Sequence, residues 1–91
     1  MKKFRLNSRA IKDLIEIAKF GDEKFGLLQS DIYQEKLQAH FELISEMPEA
    51  FQKVDYIRQG YRRAVCGSHS IYYRIINDKI EIMRILGRQE V

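Results

Sequence analysis

The last third of the chain permits few folds. Residues 61–66, 71–76 and 79–86 are three runs rich in Ile, Tyr, Val and Arg, broken only at Gly67-Ser68 and Asn77-Asp78. Branched and aromatic side chains fit a pleated, half-buried surface. Glycine and asparagine tolerate the positive φ that tight hairpins require. The pattern predicts a three-stranded antiparallel meander, and its apolar face must be covered by something else in the chain. With 91 residues in total, that cover has to come from a single domain spanning residues 1–91.

The first half supplies it. Residues 2–6 alternate, with Phe4 and Leu6 on one side, and read as a short strand that joins the meander in one sheet. Asn7-Ser8 offers a helix cap, after which Ile11, Leu14, Ile15 and Ala18 recur at helical spacing over residues 9–24. Gly26 suits the residue just past that helix. A second helix is predicted over residues 28–47, with Ile32, Tyr33, Leu37, His40, Phe41, Ile44 and Met47 on one broad stripe and Pro48 as the stop. Two amphipathic helices with a tight break form an antiparallel hairpin. The predicted fold is therefore α+β: a two-layer β-α-α-β-β-β arrangement, the helix hairpin packed on a mainly antiparallel sheet. Residues 48–59 form the one long connection, expected at the surface.

Several function classes are excluded or disfavoured at this stage. No apolar run approaches the roughly 20 residues of a membrane span, and Phe4-Arg5-Leu6-Asn7 follows Met1-Lys2-Lys3 where a secretory leader would need an apolar stretch. Cys66, the lone cysteine, has no internal partner, and the expectation is a reducing cytoplasm. One Cys and two His without metal-ligand spacing imply no metal centre. The five glycines stand singly, are read as element ends, and make no phosphate loop, so no cofactor is expected. Ser68 beside His69 makes no triad, because neighbours in a turn seldom point at one another productively. His40 reads as a core or boundary histidine, and His69 as a structural one in a turn.

Charge is distributed unevenly. The net +3 combines +5 over residues 1–12, −6 over residues 13–57 and +4 over residues 58–91. Six of the seven basic residues in the last segment are arginines. Arg62 and Arg63 fall on opposite faces of one strand, so one sheet face can gather either of them with Arg74, Arg84 and Arg88. Interleaved with Tyr61, Tyr72 and Tyr73, such a cluster suits phosphates with stacked bases, and equally an acidic protein segment. The plainer alternative is that some of these arginines lie over the open sheet or pair with Glu81. As a ribonuclease site the cluster lacks a clear general base and acid.

Three segments carry a family resemblance: Arg58-Gln59-Gly60-Tyr61-Arg62-Arg63, Gly67-Ser68-His69-Ser70-Ile71-Tyr72-Tyr73-Arg74, and Ile80-Glu81-Ile82-Met83-Arg84-Ile85-Leu86. In order and spacing they resemble the ParE toxins of the RelE/ParE superfamily, as do Leu6-Asn7-Ser8-Arg9-Ala10-Ile11-Lys12-Asp13-Leu14 and Phe41-Glu42-Leu43-Ile44-Ser45-Glu46-Met47-Pro48. The resemblance implies the toxin of a bacterial type II toxin–antitoxin pair. Such a toxin inhibits DNA gyrase, through its A subunit and near broken DNA, is not an enzyme, and is neutralised in a hetero-oligomer by a ParD-like antitoxin. Partner contacts are then expected at Arg58, Arg62, Arg63, Tyr73, Arg74, Arg84 and Arg88, with an acidic and apolar antitoxin segment laid on the helix hairpin and the arginine-bearing sheet. Two other readings follow from the same resemblance. One is a RelE-type ribosome-dependent mRNA endonuclease using Arg62, Arg63, Arg74, Arg84 and His69. The other is an antitoxin-binding homologue without a live target, motivated by Gly87 standing where the pattern has histidine and by the short tail after it.

Overall fold

Asn7 ends the first strand and starts the first helix. Its side chain accepts a hydrogen bond from the Ala10 amide at 2.9 Å, and its own amide donates to Ile82 O at 3.1 Å. One residue thus satisfies an orphan donor of the helix and ties the helix entry to the sheet. In this computed structural model, which describes residues 3–87, the elements run β1 (Phe4–Leu6), α1 (Ser8–Phe25), α2 (Leu27–Glu46), β2 (Gln52–Lys53), β3 (Tyr61–Cys66), β4 (His69–Ile76) and β5 (Lys79–Gly87). Gly26 alone separates the helices: its amide donates to Asp22 O and its carbonyl accepts from Ser30 N. At φ +89° it holds a conformation that L side chains rarely adopt.

The helices cross closely where Ser30 meets Gly21. Ser30 Oγ donates to Ala18 O at 3.3 Å, and a Cβ on Gly21 would lie 2.7 Å from that hydroxyl. Gly21 is therefore a crossing residue inside α1 and not, as its isolation in the sequence implied, an end signal.

The five strands form one sheet in the order β1-β5-β4-β3-β2. All pairs are antiparallel except β1 with β5, which is parallel. The predicted meander is present, with both two-residue breaks in place: Gly67 has φ +58°, and Asn77 and Asp78 have φ +50° and +63°. The structure departs from expectation in three respects. β4 begins at His69 and not at residue 71, so this histidine belongs to the strand. Within the long connection a two-residue edge strand, β2, pairs Gln52 with Arg63 and Lys53 with Arg62. A register shift at Tyr72/Tyr73 leaves Met83 as an extra residue on β5, and its sulfur lies 3.6 Å from the side-chain Nδ2 of Asn7.

The core forms where the helices meet the inner sheet face. Leu37, Phe41 and Ile44 of α2 and Ala10 of α1 pack with Ala64, Ile71, Tyr73, Ile80, Ile82 and Ile85, all at most 2% exposed. The stripe read from the sequence is only partly the packed one. Leu14 and Ile17 of α1 face the core, whereas Ile11, Ile15, Ile32 and Met47 are about half exposed. Two apolar residues per turn exceed what one sheet face can cover, and the surplus faces outward.

Tyr73 fastens the long connection to this core. Its ring meets Phe51 edge-on at 6.3 Å, and its hydroxyl donates to Pro48 O at 2.5 Å. Burial pushes the phenol up to about 12, with Arg62 opposing the shift. Tyr73→Phe orphans the Pro48 carbonyl and should cost about 1–3 kcal/mol in urea unfolding. Tyr72→Phe, on the outer face, should stay within roughly 0.5 kcal/mol of the parent.

Candidate partner interface

Register assigns the arginines to faces. Residues opposite one another in adjacent strands share a face, and successive residues alternate. Arg5, Glu81, Arg74 and Tyr61 form one row across the outer face, and Arg84, Tyr72 and Arg63 form the next. Arg62 and Tyr73 lie in the inner row with Ile82. The face that gathers arginines therefore holds Arg63 and not Arg62.

Most of these guanidiniums are already engaged. Glu81, 8% exposed, accepts from Arg5 Nη2 at 2.9 Å and from Arg74 Nε and Nη2 at 3.0 and 2.9 Å. Asp13 on α1 takes Arg84 in a bidentate grip, at 2.8 Å from Nε and 3.1 Å from Nη2, and accepts the Ile85 amide at 2.9 Å. This places the middle of α1 against the end of β5. Arg62 donates to Phe51 O at 2.8 Å and Glu49 O at 3.3 Å, holding the long connection. Arg63 donates to Gln52 at 3.2 Å. Arg58 is exposed in the connection, its guanidinium carbon 6.0 Å from the Tyr61 ring centre.

Two of the sequence-derived contact residues point inward. Tyr73 is wholly buried and presents no surface to a partner; the outer tyrosines are Tyr61 and Tyr72. Arg62 is a strut for the connection, because an inward-facing guanidinium must satisfy its donors on nearby carbonyls. Arg74 and Arg84 remain on the outer face but are paired with carboxylates. Arg88 lies outside the described residues.

His69 has a different neighbourhood from the outer arginines. Its Nδ1 is 2.6 Å from the Tyr33 hydroxyl, which also contacts Cys66 O at 3.1 Å and accepts the Ser68 amide at 3.2 Å. Burial depresses the imidazole pKa, favouring the neutral ring. The hydroxyl of α2 thereby fastens the β3–β4 hairpin, and a Cβ on Gly67 would lie 2.8 Å from the Tyr33 ring. Cys66 is buried, and burial raises its thiol pKa although Lys36 opposes the shift.

The helix hairpin, on which the resemblance places an antitoxin segment, carries exposed apolar residues outside the seven expected contact residues. Phe20, Phe25, Leu27 and Leu28 around its tip are 60–73% exposed, and Ile11, Ile15 and Ile32 are 49–54% exposed. Apolar residues beyond the single core-facing stripe were the available sign of them. A contiguous exposed apolar surface is a mark of protein–protein contact.

The comparisons with known proteins agree with this architecture. A solved structure described as the chromosomal ParDE TA system from P. aeruginosa superposes with a TM-score of 0.86 at 15% identity, covering 98% of both chains. The class is the RelE/ParE-like α+β fold. The family model for the ParE toxin of the type II toxin–antitoxin system parDE matches residues 4–91. Toxin ParE1 of Caulobacter vibrioides is 40% identical over 86 residues, 94% of this chain and 88% of that protein. Toxin ParE1 of Mycobacterium tuberculosis is 29% identical over 88 residues, 96% and 90% of the two chains. The chain belongs to the ParE toxin family.

The same contacts set a pH dependence. Hydrogen bonds from Arg5 and Arg74 hold the Glu81 pKa below its usual value against burial. At Asp13 burial pushes upward but is outweighed by Arg84 and the Ile85 amide, so that pKa is lowered too. A depressed folded-state pKa contributes stability above the unfolded pKa and loses it as pH falls through the folded one. His69 adds a decline beginning below about pH 6.5, and the carboxylates a steeper one below about pH 4. Urea unfolding from neutral to acid pH should show both, and Glu81→Gln should flatten the second.

Proposed function

We propose that this ParE-family toxin arrests growth by binding DNA gyrase and stabilising the gyrase–DNA cleavage complex, without covalent chemistry of its own. A ParD-like antitoxin holds it silent in a hetero-oligomer in the cytoplasm. The observation that carries this reading beyond family membership is the dispersal of the residues an mRNA endonuclease would need. Arg62 and His69 belong to the inner face, where Arg62 holds backbone carbonyls and His69 meets Tyr33. Arg63, Arg74 and Arg84 lie on the outer face, held by Gln52, Glu81 and Asp13. General acid–base catalysis needs its groups within hydrogen-bond reach of one proton path, and these groups do not converge on one.

Two features support the antitoxin assignment. The exposed Phe20, Phe25, Leu27 and Leu28 surface suits the apolar side of an amphipathic segment. The outer sheet face, with more guanidiniums than carboxylates, suits its acidic side. The solved neighbour is described as a ParDE system, which is in keeping with such a partner.

Supercoiling of relaxed plasmid by purified gyrase tests the proposal. Added toxin should abolish supercoiling and build up protein-linked cleaved DNA, and an equimolar ParD-like antitoxin should reverse both. Unchanged supercoiling with no cleaved DNA would overturn the reading. Growth arrest with site-specific mRNA cleavage would replace it with the endonuclease, and normal growth without the antitoxin would replace it with the inactive homologue.

A further inference from the structure

The outer sheet face continues into a groove that the engaged arginines do not fill. It is about 390 Å³ in volume and lies between the start of α1, the end of β5 and the connection before β3. Arg9, Arg58 and Arg84 line it together with the rings of Tyr61 and Tyr72. Ile57, Met83 and Leu86 supply the apolar part of its lining.

Charge in and around the groove is unbalanced. None of its lining residues is acidic. Two carboxylates on the elements that form its walls are committed: Asp13 to Arg84 and the Ile85 amide, with Arg9 also acting on it, and Asp55 to the Gly60 amide at 2.8 Å. One carboxylate, Asp13, thus stands against Arg9 and Arg84, while Arg58 has a ring beside it. Tyr72 sits directly between Arg63 and Arg84 across the strands, so phenol and guanidinium alternate over the face. The wall of the groove is also held in place. Arg58 N donates to Val54 O and Tyr61 N to Arg58 O, both at 3.1 Å, which fixes the turn carrying Arg58.

Guanidiniums spaced by aromatic rings over an apolar floor match one ligand chemistry best: phosphates joined to flat, unpaired bases. An acidic peptide would meet the charges but leave the rings without stacking partners. A duplex keeps its bases stacked inside and offers only its phosphates to a pocket of this kind. We infer that this groove binds single-stranded nucleic acid, with Tyr61 and Tyr72 stacking on bases and Arg9 and Arg58 holding the flanking phosphates. The biological source assigned to it is a DNA strand, and that assignment rests on the gyrase reading, because an enzyme caught with broken DNA exposes strand ends. Binding itself requires no gyrase, so the two ideas can fail separately.

The test titrates the purified full chain into a fluorescein-labelled oligothymidylate of about 12 nucleotides at about 50 mM salt, read by anisotropy. Saturable binding should weaken with salt. Arg9→Ala and Arg58→Ala should each weaken it and lower the salt slope by about 0.7. Tyr72→Leu should weaken binding roughly tenfold while Tyr72→Phe retains it, with circular dichroism confirming that both fold. Lys36→Ala, on α2, should match the parent. No saturable binding, equal affinity for a duplex of the same length, or an equal loss in Lys36→Ala would overturn the groove. Preference for oligouridylate would overturn the DNA source. Binding with gyrase unaffected would uphold the groove and sink the gyrase reading; gyrase inhibition without binding would do the reverse.

Discussion

A carboxylate withdrawn from water has to be paired, and two such carboxylates organise this molecule. Asp13 sits on the inner flank of α1, one turn after the buried Ala10, and gathers Arg84 and the Ile85 amide. It fixes α1 against the part of β5 that runs on past the three-residue β1. Glu81 does the corresponding work inside the sheet, joining β1 through Arg5 and β4 through Arg74. β1 and β4 thus share one acid on the strand between them, which supplements a parallel pairing only three residues long. A charge-assisted contact shielded from water is worth roughly 1.5–3 kcal/mol; Arg84 and Arg74, whose side chains are 35% and 41% exposed, fall below that range, and Arg5, at 76%, well below it.

This arrangement determines what remains available for function. Guanidiniums that hold the fold together are poorly placed to hold and release a scissile phosphate, and His69 is occupied with keeping the β3–β4 hairpin against α2. Among the described residues, the apolar tip of the helix hairpin and the basic, tyrosine-lined groove stay open. Both suit contact with other macromolecules, and the proposed mode of action uses contact alone. On the proposed mode of action, recognition is spread over these surfaces.

The fold was legible because its punctuation is chemical. Asn7, Gly26, Pro48, Gly67-Ser68 and Asn77-Asp78 each mark a boundary for a stated conformational reason, and the element order follows from them. β2 was not legible, since Gln52 and Lys53 carry no strand pattern and lie beside β3 where Arg62, Arg63 and the Val54 amide hold the connection. The bulge at Met83 left no mark either, because Met83-Arg84-Ile85 reads equally well in either register until Asn7 is placed beside it. The arginine cluster was visible as composition but not as geometry. Tyr73 and Arg62 looked like surface residues because alternation does not say which face is inward when both faces carry large amphipathic side chains. Glu81 was named as a possible partner for the arginines, whereas Asp13, lying 71 residues from Arg84, gave no such indication.

The central claim, that the sheet arginines are spent on the fold, is tested most directly by a double-mutant cycle on Asp13 and Arg84. Unfolding free energies of the parent, Asp13→Ala, Arg84→Ala and the double variant isolate their coupling from the loss of either side chain alone. The account predicts a coupling of about 0.5–2 kcal/mol, since Arg84 is partly open to solvent, with the double variant less destabilised than the two single losses added together. Additive losses with no coupling would contradict it and return Arg84 to the set of residues free to act on a target.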